Sequence, residues 1–230
     1  MIIYPKRWLV DYSLFYNSKP KQINIESIVE SIIDELMITI KELNISHLLY
    51  SGGIDSTILL AIMKKETNVK ISTYTITSNK QHPDCIFSKL GSDVYKTNHH
   101  QFFTSRKYVG VKELFNQLPN YTNNIICGDG IDEFGAGYYK HQDCSEKTYI
   151  KYLKDLTPNH LIPLNKISKS TKVHLPYLNP TIINLLSNTP LIQKVNRKTR
   201  KKITVEIAKS LDIPNEIINR RKYGFCDANL

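Results

Sequence analysis

Leu48-Leu49-Tyr50-Ser51-Gly52-Gly53-Ile54-Asp55-Ser56-Thr57, continued by the apolar run Ile58-Leu59-Leu60-Ala61-Ile62-Met63, reads as a buried strand, a glycine-rich turn and the start of a helix. Two glycines let the backbone turn with positive φ and approach a ligand closely, while the unpaired N–H groups of the next helix face an anion. The turn is therefore a phosphate cradle in which Ser51, Gly52, Gly53 and Ser56 supply backbone and hydroxyl donors. Asp55 would repel a bare phosphate, so a carboxylate at that place points to Mg²⁺ between it and the phosphate oxygens. The order of residues differs from the G-x-x-x-x-G-K-S/T loop, which has a lysine where this chain has Asp55. Without a ligand the same stretch would be a strand-to-helix turn capped by Asp55 or Ser56. Ser51, Asp55 and Ser56 together favour the cradle.

Before the cradle, apolar side chains at Ile25, Ile28, Val29, Ile32, Ile33, Leu36, Ile40 and Leu43 follow a 3.6-residue period, which predicts an amphipathic helix. After it come a predicted helix over 57–65, a β-branched strand over 69–76, a helix over 83–90, a strand over 92–97, a helix over 111–118 and a strand over 124–127. Strands alternating with helices imply an α/β fold: a parallel sheet flanked by helices on both faces, with right-handed crossovers. Ligands of such sheets bind beyond the carboxyl ends of the strands, where the cradle lies. From Tyr138 onward the pattern is helical at 182–186 and 203–211, punctuated by Pro163, Pro176, Pro180, Pro190 and Pro214. The expectation is one domain over 1–230, with an α/β nucleotide-binding core over about 1–140 and a helical closing part over about 141–230.

The 230 residues, 41% hydrophobic and 23% charged, suffice for one well-buried core and exclude a disordered chain. No stretch approaches the ~18 apolar residues of a membrane span, and the start lacks the apolar run of a signal peptide. A cytoplasmic protein with no membrane partner is expected. Cys85, Cys127, Cys144 and Cys226 form no C-x-x-C pair, which argues against a disulfide framework, a zinc site or an iron–sulfur cluster. His141 and Cys144, three apart, lack a second ligand pair. The net charge of +10 concentrates in Lys194, Arg197, Lys198, Arg200, Lys201, Lys202 and Lys209, followed by Arg220, Arg221 and Lys222. Such a cluster can bind a phosphodiester backbone, attract a polyanionic small molecule or solvate a helix face.

Ser51-Gly52-Gly53-Ile54-Asp55-Ser56 resembles the S-G-G-x-D-S signature of the PP-loop ATP pyrophosphatases, which split ATP into AMP and pyrophosphate. Cys127-Gly128-Asp129-Gly130-Ile131-Asp132-Glu133-Phe134-Gly135-Ala136-Gly137-Tyr138 resembles the G-E-G-x-D-E-x-x-G-G-Y segment of the asparagine synthetase synthase domain. Leu175-Pro176-Tyr177-Leu178-Asn179, the lysines around Lys202, and the run from Ile217 to Phe225 resemble the end of that domain. The three blocks fall in family order over about residues 25–226.

That resemblance implies a PP-loop, HUP-like fold and an ATP-dependent amide synthetase that forms AMP and pyrophosphate. It adenylates a carboxylate and passes the acyl group to an amine. It implies Mg²⁺ on Asp55 and Asp132, a base at Asp129, a catalytic lysine at Lys202 with Lys198 and Lys201 as alternatives within a turn, and a second lysine at Lys222. Gly128 is expected beside the nucleotide, and Thr75 beside its adenosine by fold position. Three departures matter. Asp129 replaces the family's glutamate, His174 and Asn179 stand where the family often has arginine and aspartate, and no Cys follows Met1 to begin a glutaminase domain. The acid therefore stays open between a small molecule and a carrier-linked carboxylate, and the nitrogen between free ammonia, a separate ammonia-supplying subunit and another amine. The alternatives are a PP-loop enzyme that modifies tRNA or another nucleic acid through adenylation, with the basic cluster as clamp, and a non-catalytic nucleotide-binding module.

Overall fold

A computed structural model describes residues 24–105, 110–156, 162–168 and 170–221. Its centre is a five-stranded, wholly parallel sheet of β1 (His47–Leu49), β2 (Ser72–Thr77), β3 (Asn98–Phe103), β4 (Asn124–Ile126) and β5 (Lys172–His174), in the order β3-β2-β1-β4-β5. Leu48 pairs with Thr73 on one side and Ile126 on the other, Tyr74 with His100, and Ile125 with Val173. The chain leaves β1 toward β2 and β3, then returns to place β4 on β1's other side. That reversal opens a crevice at the carboxyl ends of β1 and β4.

The helix α1 (Ile25–Leu43) begins at Asn24, whose side chain accepts from the Glu26 N–H at 2.9 Å. It buries Ile28, Val29, Ile32, Leu36 and Ile40 along one stripe and ends at Asn44 in the left-handed region. The next helix, α2 (Ile54–Glu66), has eight consecutive buried residues from Ser56 to Met63, because it lies between the sheet, α1 and the later helices α10 (Lys202–Ser210) and α11 (Asn215–Ile218). Strand β2 carries α3 (Pro83–Tyr95), which also reaches β3, and α4 (Gly110–Gln117), and α5 (Ile131–Phe134) follows β4. The remainder comprises α6 (Glu146–Asp155), α7 (Ile162–Ile167), α8 (Pro180–Asn188) and α9 (Leu191–Lys194). Among the described residues no helix is long and apolar enough to cross a membrane.

Two sequence expectations are corrected. The helix expected to stop near residue 90 runs through Gly91 to Tyr95, and the strand expected over 92–97 is Asn98–Phe103. Gly91 is a packing glycine rather than a break, since a Cβ there would sit 1.8 Å from the Tyr50 hydroxyl. The sheet also does not end before residue 140: Lys172–His174 adds a fifth parallel strand from the segment expected to be helical throughout. A three-residue strand with one apolar side chain has no period to read.

Candidate functional site

The cradle follows β1. Gly52 has φ +67°, and a Cβ there would meet the backbone of Phe87 and Ser88 in α3 at 2.3 Å, so only glycine fits. Gly53 caps α2 without a side-chain hydrogen bond. The Gly53 carbonyl accepts from the Ser56 hydroxyl at 3.1 Å and the Thr57 hydroxyl at 2.9 Å, and the Ser51 and Ser56 hydroxyls lie 3.3 Å apart. These bonds set the turn's shape, and the N-terminal N–H groups of a thirteen-residue helix face the crevice.

Thr75 lies just beneath the cradle. It is 3% exposed within β2, and its hydroxyl donates to the Tyr50 carbonyl at the end of β1. It supports the cradle from beneath.

The second loop meets the first. A Cβ on Gly128 would lie 3.5 Å from the Ser56 nitrogen, which puts the loop after β4 against the first turn of α2. Gly130, at φ +108°, turns the chain under Leu178 and starts α5, which carries Asp132. Gly137 leaves room for that carboxylate, since a Cβ there would fall 1.8 Å from Asp132 Oδ1. Asp129 sits exposed on the rim, next to buried Cys127, whose thiol is pushed up first by burial and then by the Asp129 charge.

Asp55 and Asp132 converge on one ammonium. Lys201 Nζ lies 2.5 Å from Asp55 Oδ2, 2.7 Å from Asp55 Oδ1 and 2.6 Å from Asp132 Oδ1. The two carboxylates are therefore no more than about 5 Å apart, with side-chain exposures of 18% and 11% against 10% for the lysine. Lys201 holds a left-handed backbone at φ +57° as it enters α10, a conformation costing about 1–2 kcal/mol outside glycine. Arg200 fixes its approach by donating to the Gly137 carbonyl at 2.8 Å and lying over the Tyr139 ring at 3.6 Å. Tyr177, fully buried, donates to the Asp55 carbonyl at 2.7 Å and holds the start of α2 from below.

Of the lysines singled out in the sequence, the structure brings Lys201 and not Lys202 to these carboxylates. Lys202, the first residue of α10, instead directs its Nζ to the Ile192 carbonyl at 2.9 Å. Lys222 lies outside the described residues. Asn179 is structural: it caps α8 through Thr181 N–H and donates to Glu35 of α1 at 2.7 Å. His174 meets Asn124 at 3.0 Å.

Sequence reasoning missed the pair Arg220 and Asp84, 2.5 Å apart, and the buried lysine Lys194. Lys194 Nζ donates to the Phe134 and Leu186 carbonyls at 3.2 and 2.7 Å and lies 4.4 Å from the Tyr149 ring centre. Burial pushes its ammonium down to about 7. Only its place in a basic run was visible in the sequence. With Lys194, Lys201 and Arg220 used inside the fold, the basic run is not one solvent-facing surface.

The residues fit Mg²⁺. A cation already sits between two hard oxygen ligands, and among the described residues no group of three or more His, Cys, Asp or Glu converges as a complete cage. Mg²⁺ suits a site of one or two carboxylates completed by phosphate oxygens and water.

Comparison with known proteins adds three findings. The asparagine synthase family profile matches residues 45–124 and 140–229. A Methanocaldococcus jannaschii protein assigned as glutamine-hydrolyzing asparagine synthetase 2 is 24% identical over 125 residues, 45% of this chain. That match spans 24% of the relative's length. The solved structure of NMN synthetase from Francisella tularensis superposes with a TM-score of 0.46 at 13% identity, over 87% of this chain and 76% of the other.

Proposed function

This chain belongs to the asparagine synthase family, and we propose that it is an ATP-dependent amide synthetase that forms AMP and pyrophosphate. The observation that carries the reading is the convergence of Asp55, Asp132 and Lys201 beside the Ser51–Ser56 cradle at the sheet's switch point. In the first step a carboxylate oxygen attacks the α-phosphorus of ATP. The bond from that phosphorus to the bridging oxygen breaks, and pyrophosphate takes the electron pair. The work for the protein is to orient the in-line attack and to balance charge on the departing group.

The cradle N–H groups and the Ser51 and Ser56 hydroxyls receive the β- and γ-phosphates. Asp55 and Asp132 would hold Mg²⁺, which would neutralise phosphate charge. Lys201, whose ammonium a bound metal would displace from between them, is the cation that turns to the α-phosphate, the role the sequence suggested for Lys202. In the second step an amine attacks the acyl carbon, loses a proton and expels AMP. Asp129, on the rim, is the acceptor of that proton. Its side chain is one methylene shorter than the family's glutamate, which leaves room for a nucleophile larger than ammonia.

The experiment incubates the protein with ATP, Mg²⁺ and panels of carboxylic acids and amines, and reads pyrophosphate release and product masses. An amide formed in equal amount to pyrophosphate is expected for one acid and amine pair. ATP binding without pyrophosphate from any pair would favour a nucleotide-binding module instead.

A further inference from the structure

The Ser51–Gly52 peptide is held from behind by a side chain from the other end of the chain. Arg220, just after α11, has a side chain 4% exposed. Its Nη1 donates to the Ser51 carbonyl at 3.1 Å, and its Nη2 donates to Asp84 Oδ1 at 2.5 Å. Asp84, in the first turn of α3, is 6% exposed at its side chain. The guanidinium lies 5.2 Å from the Phe87 ring centre, and its Nη2 would be 3.7 Å from a Cβ on Gly53. One planar fork thus joins the cradle, α3 and the C-terminal segment.

We propose that Arg220 is a positioning residue for the phosphate cradle: by engaging the Ser51 carbonyl it fixes the Ser51–Gly52 peptide plane and so aims the Gly52 N–H at the departing pyrophosphate. The trans peptide is planar, so its C=O and N–H point in opposite directions. A carbonyl drawn to Arg220 turns the N–H away from Arg220. Gly52, already at φ +67°, is the residue about which this plane can flip most easily, since glycine accepts either sign of φ. A flipped plane would present a carbonyl oxygen to an anion. Asp84 keeps the guanidinium in register, and lysine, with a compact ammonium instead of a planar fork, cannot reproduce the spacing and direction of the two donors that reach the Ser51 carbonyl and Asp84.

This inference rests on the cradle holding pyrophosphate, and the test separates the two. Pyrophosphate and AMP are titrated calorimetrically into the wild type, Arg220→Met, Arg220→Lys and Asp84→Asn. Asp84→Asn keeps an oxygen acceptor for Arg220 and is expected to bind pyrophosphate within about threefold of the wild type. Arg220→Met is expected to bind it at least about tenfold more weakly, the loss of one hydrogen bond to a charged group, with AMP affinity unchanged. Arg220→Lys, which keeps the charge and the fold if the methionine variant does not fold, is expected to lose nearly as much. Equal losses for pyrophosphate and AMP, or full affinity in Arg220→Lys, would overturn the proposal. Absence of pyrophosphate binding in the wild type would overturn the functional reading itself.

Discussion

Replacing Lys201 with methionine removes the ammonium that separates Asp55 from Asp132 and keeps the length of the side chain. The two carboxylates then face each other across no more than about 5 Å, a repulsion of about 3 kcal/mol at an effective dielectric constant of about 20. That figure agrees with the about 3–5 kcal/mol lost when one partner of a buried ion pair is removed. The exposures of 18% and 11% justify treating the pair as buried. Both lysine and methionine bear the same cost of the left-handed backbone, so that term cancels.

For a chain of this size, a loss of about 3 kcal/mol lowers the thermal midpoint by roughly 6–12 °C. Mg²⁺ should then reverse the loss, because the ammonium no longer occupies its place: at a hundredfold excess over its dissociation constant it adds about 2.7 kcal/mol. The wild type, whose ammonium already bridges the carboxylates, should respond far less to Mg²⁺ without nucleotide. Urea unfolding and thermal scans with and without Mg²⁺ measure both effects. Equal stability of the variant and wild type, or equal stabilisation of the two by Mg²⁺, would refute the convergence of these three side chains.

Lys202→Ala should retain pyrophosphate release within about threefold, because its ammonium serves the Ile192 carbonyl, away from the two carboxylates, whereas Lys201→Ala should lose at least about a hundredfold; steady-state kinetics with the same acid and amine compares them. Gly52→Ala should destabilise by about 2–5 kcal/mol, summing the left-handed penalty and the overlap with the Phe87 and Ser88 backbone, and an unchanged urea midpoint would contradict that packing. Stability should fall as pH drops from 6.5 toward 4. Burial lowers His99 and His141 to about 4, so in that window the unfolded chain binds more protons. Lys194, lowered to about 7, adds stability as pH rises from 7 toward 10.5 by the same sign, and midpoints at several pH values test both slopes. Asp129→Glu should change amine preference more than ATP cleavage, and an unaltered amine profile would remove Asp129 from the second step.

The sequence is most legible where chemistry forces local pattern. The Ser51–Ser56 turn between an apolar strand and an apolar helix carries its own geometry, and the periodic stripe from Ile25 to Leu43 predicted α1 within its observed bounds. Illegible features depend on partners distant in the chain. Arg220 reads as one basic residue among many until Asp84, 136 residues away, and the Ser51 carbonyl are seen beside it. Gly91 gives no sign in the sequence that it lies within α3, because the Tyr50 hydroxyl that requires it comes from another element. The choice between Lys201 and Lys202 turns on where α10 begins, and a left-handed lysine at a helix entrance has no sequence signal. Strand β5 is only Lys-Val-His, recognisable by its pairing with β4 and by nothing in its composition.

The central claim is that a nucleotide lies with its two terminal phosphates in the loop after β1 and loses them together. Phosphorus NMR of the products formed from ATP, with the acid and amine that support turnover, tests it most directly. AMP and pyrophosphate in equal amounts, abolished by Asp55→Asn in a folded protein, are the expected result. ADP and orthophosphate as products would contradict it.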